Sequence, residues 1–367
     1  SPMAARCYDV IVIGAGPAGS TTARELAEAG FDVLLLEGQR LPRNKPCGGG
    51  LTPRAWPHLG VAVEDLVLNR ATSVQVRVGT RVSARFRARS AAVWMVRRRD
   101  LDLRLAEKAA RRGVELHDGE MARRLEVGPT TWVSTEKGRY QGRVVVGADG
   151  AESRVARWLG LPRPNRWMVA LAAEVEVAGD PLAGEAVVDL AVPHGYAWVF
   201  PKGECYNVGT GTFQPEGARE LRWRLHRFAD EVGLSLDRPL WMEGHRIPTG
   251  LAPGDLHREN VLLVGDAAGV ADPFFGEGMS YALQSGRLAA RTATEYLAGR
   301  SADVSSYTRR VRAALGPDAA LWRVVAILVH RFPAASLRIL AASRRLQLQV
   351  ERTVAGEVSL GDRTGLG

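Results

Sequence analysis

Cysteine is scarce. Cys7, Cys47 and Cys205 are the only three in a chain of 367 residues. No two stand as C-x-x-C, so neither a disulfide framework nor a zinc site is expected. Three scattered thiols also fall short of the four ligands an iron–sulfur cluster usually takes. No apolar run approaches the ~18 residues of a membrane span. No secretory signal is expected, because the first strand pattern begins at Tyr8. This reading places the chain in the reducing cytoplasm, with the inner face of the membrane as a surface it can reach. Low-complexity segments are missing too. Acidic residues are outnumbered: 49 Lys and Arg stand against 40 Asp and Glu, a net charge of +9. The excess is scattered in short clusters, such as Arg97 to Arg99 and Arg111-Arg112. No basic stripe is interleaved with aromatics, so no nucleic-acid partner is expected. Anionic lipid or a phosphorylated substrate suits such a scatter better.

What is present is concentrated near the start. Val10-Ile11-Val12-Ile13 runs straight into Gly14-Ala15-Gly16-Pro17-Ala18-Gly19, a helical pattern follows, and Val33 to Leu36 ends in Glu37-Gly38. Strand, tight turn, helix and a second strand with an acid at its tip make a dinucleotide fingerprint. Gly14 permits the turn, Gly16 lets backbone approach a pyrophosphate, and Gly19 lets the helix pack on the strand. The helix N-terminus then faces the phosphates. A carboxylate at position 37 favours a free ribose diol, as in FAD or NAD.

The length allows two domains. Residues 1–70, 98–165 and 255–300 read as one discontinuous, mainly parallel α/β unit. The alternating stretches within 71–97 and 166–254 read as an inserted antiparallel sheet domain, and 301–367 as a helical region. Three further segments stand out. Lys45-Pro46-Cys47-Gly48-Gly49-Gly50 cannot hold a helix or a central strand, and its glycines suit backbone packed against something flat. Tyr196, Trp198 and Phe200 alternate along one strand, so their side chains share a face. From Leu321 to Val350 apolar residues mix with arginines, and Pro333 divides two helices. Packing of those helices on the core and docking on a membrane surface both fit that pattern.

Taken in order, these pieces resemble the FAD-dependent oxidoreductases of the p-hydroxybenzoate hydroxylase fold type. The matching residues are Gly14-x-Gly16-x-x-Gly19, then Arg98-x-x-Leu101-Asp102, then Asp149-Gly150, and finally Gly265-Asp266-Ala-Ala-Gly269. Within that group the chain is similar to the geranylgeranyl reductase family, through Lys45-x-Cys47-Gly48-Gly49-Gly50 and Pro193-x-Gly195-Tyr196-x-Trp198-x-Phe200-Pro201. The loop Pro273 to Met279, with Gly276-Glu277-Gly278-Met279, also fits. The resemblance implies a FAD-binding Rossmann-like domain with an inserted antiparallel β-sheet substrate domain and a C-terminal helical segment. It implies cofactor contacts from Gly14 to Gly19, Glu37, Gly38, Lys45, Cys47, Gly48, Gly49, Arg98, Asp149, Gly265, Asp266, Pro273, Gly276, Gly278 and Met279. It also implies reduction of C=C bonds in an isoprenoid small molecule or lipid.

An isolated alkene is not polarised, so hydride addition at one carbon needs a proton at the other. Such a site should be apolar and dry, with a proton donor and π faces. Tyr196, Trp198 and Phe200 are the expected lining, and Tyr196 and Trp198 can also favour positive charge. Cys47 is the expected source or relay of the proton, since thiols are mostly protonated at neutral pH. Without the family match, three aromatics on one strand face read simply as core. The alternative is a FAD-dependent aromatic or polyketide monooxygenase on the same fold; an electron carrier is a further rival. No second nicotinamide fingerprint is present, which leaves NAD(P)H and ferredoxin both open as electron donor. The prenyl substrate and the oligomeric state are not legible.

Overall fold

The strand Cys7–Ile13 is the centre of the molecule, with Val10, Ile11 and Val12 fully buried. The computed structural model of the protein describes residues 6–87, 93–179, 181–355 and 357. Cys7–Ile13 pairs in parallel with Val33–Glu37 on one side and Arg139–Gly147 on the other. Glu115–Asp118 and Val261–Leu263 extend the parallel array at its two sides. Antiparallel strands Thr131–Thr135, Ala122–Glu126 and His257–Arg258 complete a sheet of eight. Its central strands are near-continuous Val, Ile and Leu because both faces are covered. The helices Pro17–Glu28, Arg98–Arg111 and Met279–Leu297 pack together over it. Fully burying each of these aliphatic side chains contributes roughly 1.5–3 kcal/mol, so this layer is the main source of cohesion.

The second sheet has seven strands in the order Trp241–Thr249, Arg166–Glu176, Cys205–Thr212, Gly195–Lys202, Ala186–Asp189, Ser73–Val78, Val82–Arg87. All its pairings are antiparallel except that of Ala186–Asp189 with Ser73–Val78. The helix Leu221–Glu231 covers one face of this sheet with Leu225, Phe228 and Ala229. The other face carries Tyr196, Trp198 and Phe200 and looks toward the first unit. The mixed architecture with a helical C-terminus is the one the sequence implies.

Two details differ from the sequence reading. Val93–Met95 does not join the seven-stranded sheet; it pairs with Gly50–Leu51 and Asn69–Ala71 in a small sheet of its own. The physical reason is the glycine loop, whose bare backbone leaves room for a strand; Val96 N–H donates to the Gly49 carbonyl (2.9 Å). Ala92, grouped with this strand in the sequence, lies outside the described residues. Among the described residues the C-terminal region forms three helices rather than two: Ser306–Arg331, Pro333–Ala342 and Arg344–Ala355. Pro333 makes the first break. The second, at Ser343, has no proline or glycine to announce it.

Candidate cofactor and substrate site

The fingerprint turn folds as a phosphate cradle. Gly14 has φ +109°, and any side chain there would run into the Ala148 carbonyl. One on Gly19 would strike the Gly14 carbonyl, so helix and strand touch through bare backbone. No side chain caps the helix N-terminus at Gly16. A carbon added to Gly16 would lie 4.0 Å from the guanidinium nitrogens of both Arg43 and Arg98. An uncapped helix end, room for backbone approach and two cations fit a pyrophosphate. Pro17 and Ala18, in the first helical turn, face the cavity described below.

Glu37 ends its strand nearly buried. One carboxylate oxygen accepts from Ala15 N–H (3.0 Å) and Arg43 (3.2 Å), the other from Gln39 N–H (3.1 Å). Gly38 packs against the Met121 side chain. Arg43 reaches from Glu37 to Asp102 (2.8 Å), which Arg98 grips with two hydrogen bonds (2.9 and 3.0 Å). Burial would push Asp102 up, but Arg98 and Arg43 outweigh it and hold the carboxyl below its ordinary range. Arg43 was not singled out from the sequence, because it sits in a loop with no periodic pattern.

A cavity of about 1080 Å³ starts at this cradle and runs between the two sheets. Its walls are mainly apolar. At the cradle end they include Gly16, Lys45, Arg98, Gly265 and Asp266. Lys45 Nζ lies 3.6 Å from an Asp266 carboxylate oxygen. The turn at Asp266 is fixed by Gly265, whose N–H donates to Ser285 Oγ (3.0 Å). Further in, the loop Cys47 to Gly50 faces the loop Gly276 to Met279. Gly49 N–H donates to Cys47 Sγ (3.3 Å). A side chain on Gly48 would approach the Phe200 ring to 2.9 Å, and one on Gly49 would reach Lys202 Nζ at 2.7 Å. Backbone and aromatic strand are therefore in contact here. Gly278, beside Asp266, and Gly276, with φ +66°, leave the opposite loop equally bare.

The aromatic strand completes the wall. The Tyr196 and Trp198 ring centroids are 5.5 Å apart, those of Trp198 and Phe200 6.3 Å. Tyr196 donates its hydroxyl to the Phe275 carbonyl. Burial, then Asp272 and Cys47, push this phenol far above its ordinary value, so it stays protonated. Trp198 donates its indole N–H to Asn207 Oδ1 (2.8 Å). Asp272 carries the Phe274, Phe275 and Glu277 amides (2.9, 2.8 and 2.6 Å). Burial nevertheless raises its carboxyl to about 7.

Asp149 and Pro273, both implied by the resemblance, are not on the cavity wall. The Asp149 carboxylate accepts from Arg154 N–H (2.7 Å), Val155 N–H (3.1 Å) and Ser153 Oγ (2.6 Å), so it caps the following helix; its neighbours Ala148 and Gly150 face the cavity instead. Pro273 stands behind Asp272 and Phe274, which do face it. The structure also adds residues that sequence reasoning passed over. His245 lines the wall, and burial, then Lys45, lower it to about 4, so it is neutral at pH 7. The C-terminal helices add Leu337, Leu340, Gln347 and Val354 to its wall.

Comparison with known proteins agrees with this geometry. A family model described as "FAD binding domain" matches residues 7–315. The chain is 35% identical over 312 residues to a geranylgeranyl diphosphate reductase of Rhodobacter capsulatus, covering 81% of this chain and 78% of that one. It is 33% identical over 304 residues to digeranylgeranylglycerophospholipid reductase 1 of Methanopyrus kandleri, covering 78% and 80%. Among solved structures, a geranylgeranyl bacteriochlorophyll reductase-like protein of Thermoplasma acidophilum superposes with a TM-score of 0.82 at 22% identity, over 96% of this chain and 99% of that one.

Proposed function

This chain belongs to the geranylgeranyl reductase family of FAD-dependent oxidoreductases, and from that premise we propose that it saturates C=C bonds along a polyprenyl chain. The observation that carries the reading is one continuous apolar cavity, walled at one end by the dinucleotide cradle and along its length by Tyr196, Trp198 and Phe200. Its volume is at the top of the ~300–1,000 Å³ range of ligand sites, enough for a flat ring and a long chain together. When bound, reduced FAD supplies the hydride.

The rest of the work belongs to side chains and backbone of the protein. Gly14 to Gly19, Arg98 and Arg43 would hold the pyrophosphate, Glu37 the adenosine ribose, and Asp266 the chain that links phosphate to ring. Gly48, Gly49, Gly276 and Gly278 would let backbone lie flat against that ring. The aromatic strand would exclude water and present π faces to the alkene. The Cys47 thiol would hold the proton at Sγ. Cys47→Ser should lower turnover with FAD retained; unchanged turnover would remove Cys47 from this role.

The finer reading is that electrons come from NAD(P)H or ferredoxin, and that the protein works at the cytoplasmic face of a membrane, docked through its C-terminal helices. The test is to reduce the purified yellow protein without oxygen and to screen polyprenyl alcohols, diphosphates and lipids by mass. Addition of about two hydrogens per double bond supports the reading. Addition of one oxygen in air would favour the monooxygenase alternative. Running the assay with NADPH, NADH and reduced ferredoxin in parallel identifies the donor.

A further inference from the structure

Arginines buried in this fold carry acids. Arg54 meets Asp318, Arg43 and Arg98 share Asp102, and Arg77 meets Asp189. One cationic cluster breaks that pattern. It lies where the start of the strand Arg166–Glu176 meets the helix Ser306–Arg331, outside the cavity wall. The Arg166 guanidinium carbon is 4.4 Å from the centroid of the Phe213 ring, and the His330 ring is 5.7 Å from the same ring. Phe213 N–H donates to the His194 carbonyl (2.9 Å), which brings a second histidine to the corner. Arg323 is seven residues before His330, two helical turns along one face. Among the described residues no ion pair involves any of these four. Among the described residues, the neighbours that shift Arg166 and His330 are cations: burial and Arg323 lower Arg166, while burial, Arg166 and His194 lower His330 to about 4. His330 Nε2 is buried without a hydrogen-bond partner among the described residues.

An arginine held over an aromatic ring, with a second arginine as its charged neighbour and no counter-charge, raises the energy of the fold. Leaving a buried ring nitrogen unpaired raises it further. A multiply charged oxyanion resolves both, since it accepts from planar guanidinium forks and from imidazole N–H at once. We propose that Arg166, Arg323, His330 and His194 form a phosphate-binding site, filled by a lipid phosphate headgroup or by a free phosphate or diphosphate. The helix that supplies Arg323 and His330 also carries the exposed Ile327 and Leu328 between them and ends at the exposed Phe332, which places the site at the edge of an apolar surface. The inference is independent of the reductase reading, and its test uses no turnover.

The full-length, FAD-loaded protein is titrated with sodium pyrophosphate by calorimetry. In parallel it is co-sedimented with phosphatidylglycerol and phosphatidylcholine vesicles. Arg166→Gln and Arg323→Gln are expected to weaken binding roughly tenfold each, whereas Arg222→Gln, exposed on the helix Leu221–Glu231 away from this corner, changes it far less. Pyrophosphate binding that depends on Arg166 and Arg323 assigns a soluble phosphate. Dependence seen only with phosphatidylglycerol vesicles assigns a lipid headgroup. In ¹³C-histidine spectra the bound anion should move the His330 titration upward from about 4. Arg323 is exposed, so Arg323→Gln keeps the test open if Arg166→Gln misfolds. Wild-type affinity in both variants for both probes, or an equal loss in Arg222→Gln, overturns the proposal.

Discussion

Gly209 lies directly beneath Trp198. The two face each other across the antiparallel pair Gly195–Lys202 and Cys205–Thr212, and a side chain at 209 would overlap the indole. The ring therefore rests on bare backbone, and its orientation is set by the hydrogen bond to Asn207. Gly211 gives the same clearance to Met168. Gly209→Ala is expected to lift the indole into the cavity. Overpacking of this kind costs roughly 1–3 kcal/mol, a drop readable by thermal denaturation. Flavin absorbance should persist, because the cradle is untouched, while tryptophan fluorescence shifts and turnover of long prenyl chains falls. A variant with wild-type fluorescence and turnover would show that the indole has room to spare.

The second prediction concerns the tie between the C-terminal helices and the first unit. Arg54 pairs with Asp318, and its guanidinium carbon stands 4.7 Å from the Tyr281 ring centroid. Asp318 is almost fully buried, and one of its oxygens has no partner among the described residues. Removing one member of a buried pair leaves the other charge uncompensated, at a cost of roughly 3–5 kcal/mol. Arg54→Met alone should therefore destabilise strongly in denaturant titration, whereas Arg54→Met with Asp318→Leu should recover much of the loss. If the double variant is no more stable than the single, the pair is not what holds Ser306–Arg331 in place.

Much of this architecture was legible in the sequence. Val10 to Gly19 and Val33 to Glu37 declare a strand–turn–helix–strand unit because period and glycine spacing agree. The shared face of Tyr196, Trp198 and Phe200 follows from alternation alone. The strand Trp241–Thr249 was not legible. Glu243, Gly244, Arg246 and Pro248 give it little β character, and its long pairing with Arg166–Glu176 is what makes it a strand. His245 went unseen for the same reason. Arg43 acquires its partners, Glu37 and Asp102, only in three dimensions. Asp149 matched a motif, yet it spends its oxygens on a helix cap, an outcome its position before Ser153 left open.

The third prediction is a pH dependence. Burial raises Asp272 to about 7, against the opposing pull of the backbone amides it accepts. An unfolded aspartate titrates near 3.9. Between those values the folded chain holds a proton that the unfolded chain has lost, so stability from this group declines as pH rises from about 4 to about 7. Asp272→Asn removes the titration while sacrificing one acceptor. The variant should be less stable at pH 4 than the wild type, and its melting temperature should fall less steeply toward pH 7. Parallel curves for the two proteins over that interval would mean that Asp272 is ionised throughout.

The fourth prediction separates a packing surface from a membrane surface. From Ala319 to Val350 the sequence has five arginines and no aspartate or glutamate. Ile327, Leu328, Phe332 and Ile339 are each more than half exposed there. The same helices line the cavity through Leu337 and Leu340. A surface that is apolar, basic and continuous with the wall of a greasy cavity suits an anionic bilayer, from which a prenyl lipid could pass inward without crossing water. Removing an apolar side chain from that contact forfeits up to about 1.5–3 kcal/mol. Ile327→Asp with Ile339→Asp should accordingly reduce co-sedimentation with phosphatidylglycerol vesicles by tenfold or more, by the conversion of ~1.4 kcal/mol per decade. Flavin content should be unchanged, since neither residue touches the cradle. Turnover of a membrane-embedded lipid should fall with binding, while that of a short, water-soluble prenyl substrate should not. Equal vesicle binding by variant and wild type would assign the exposed residues to some other contact.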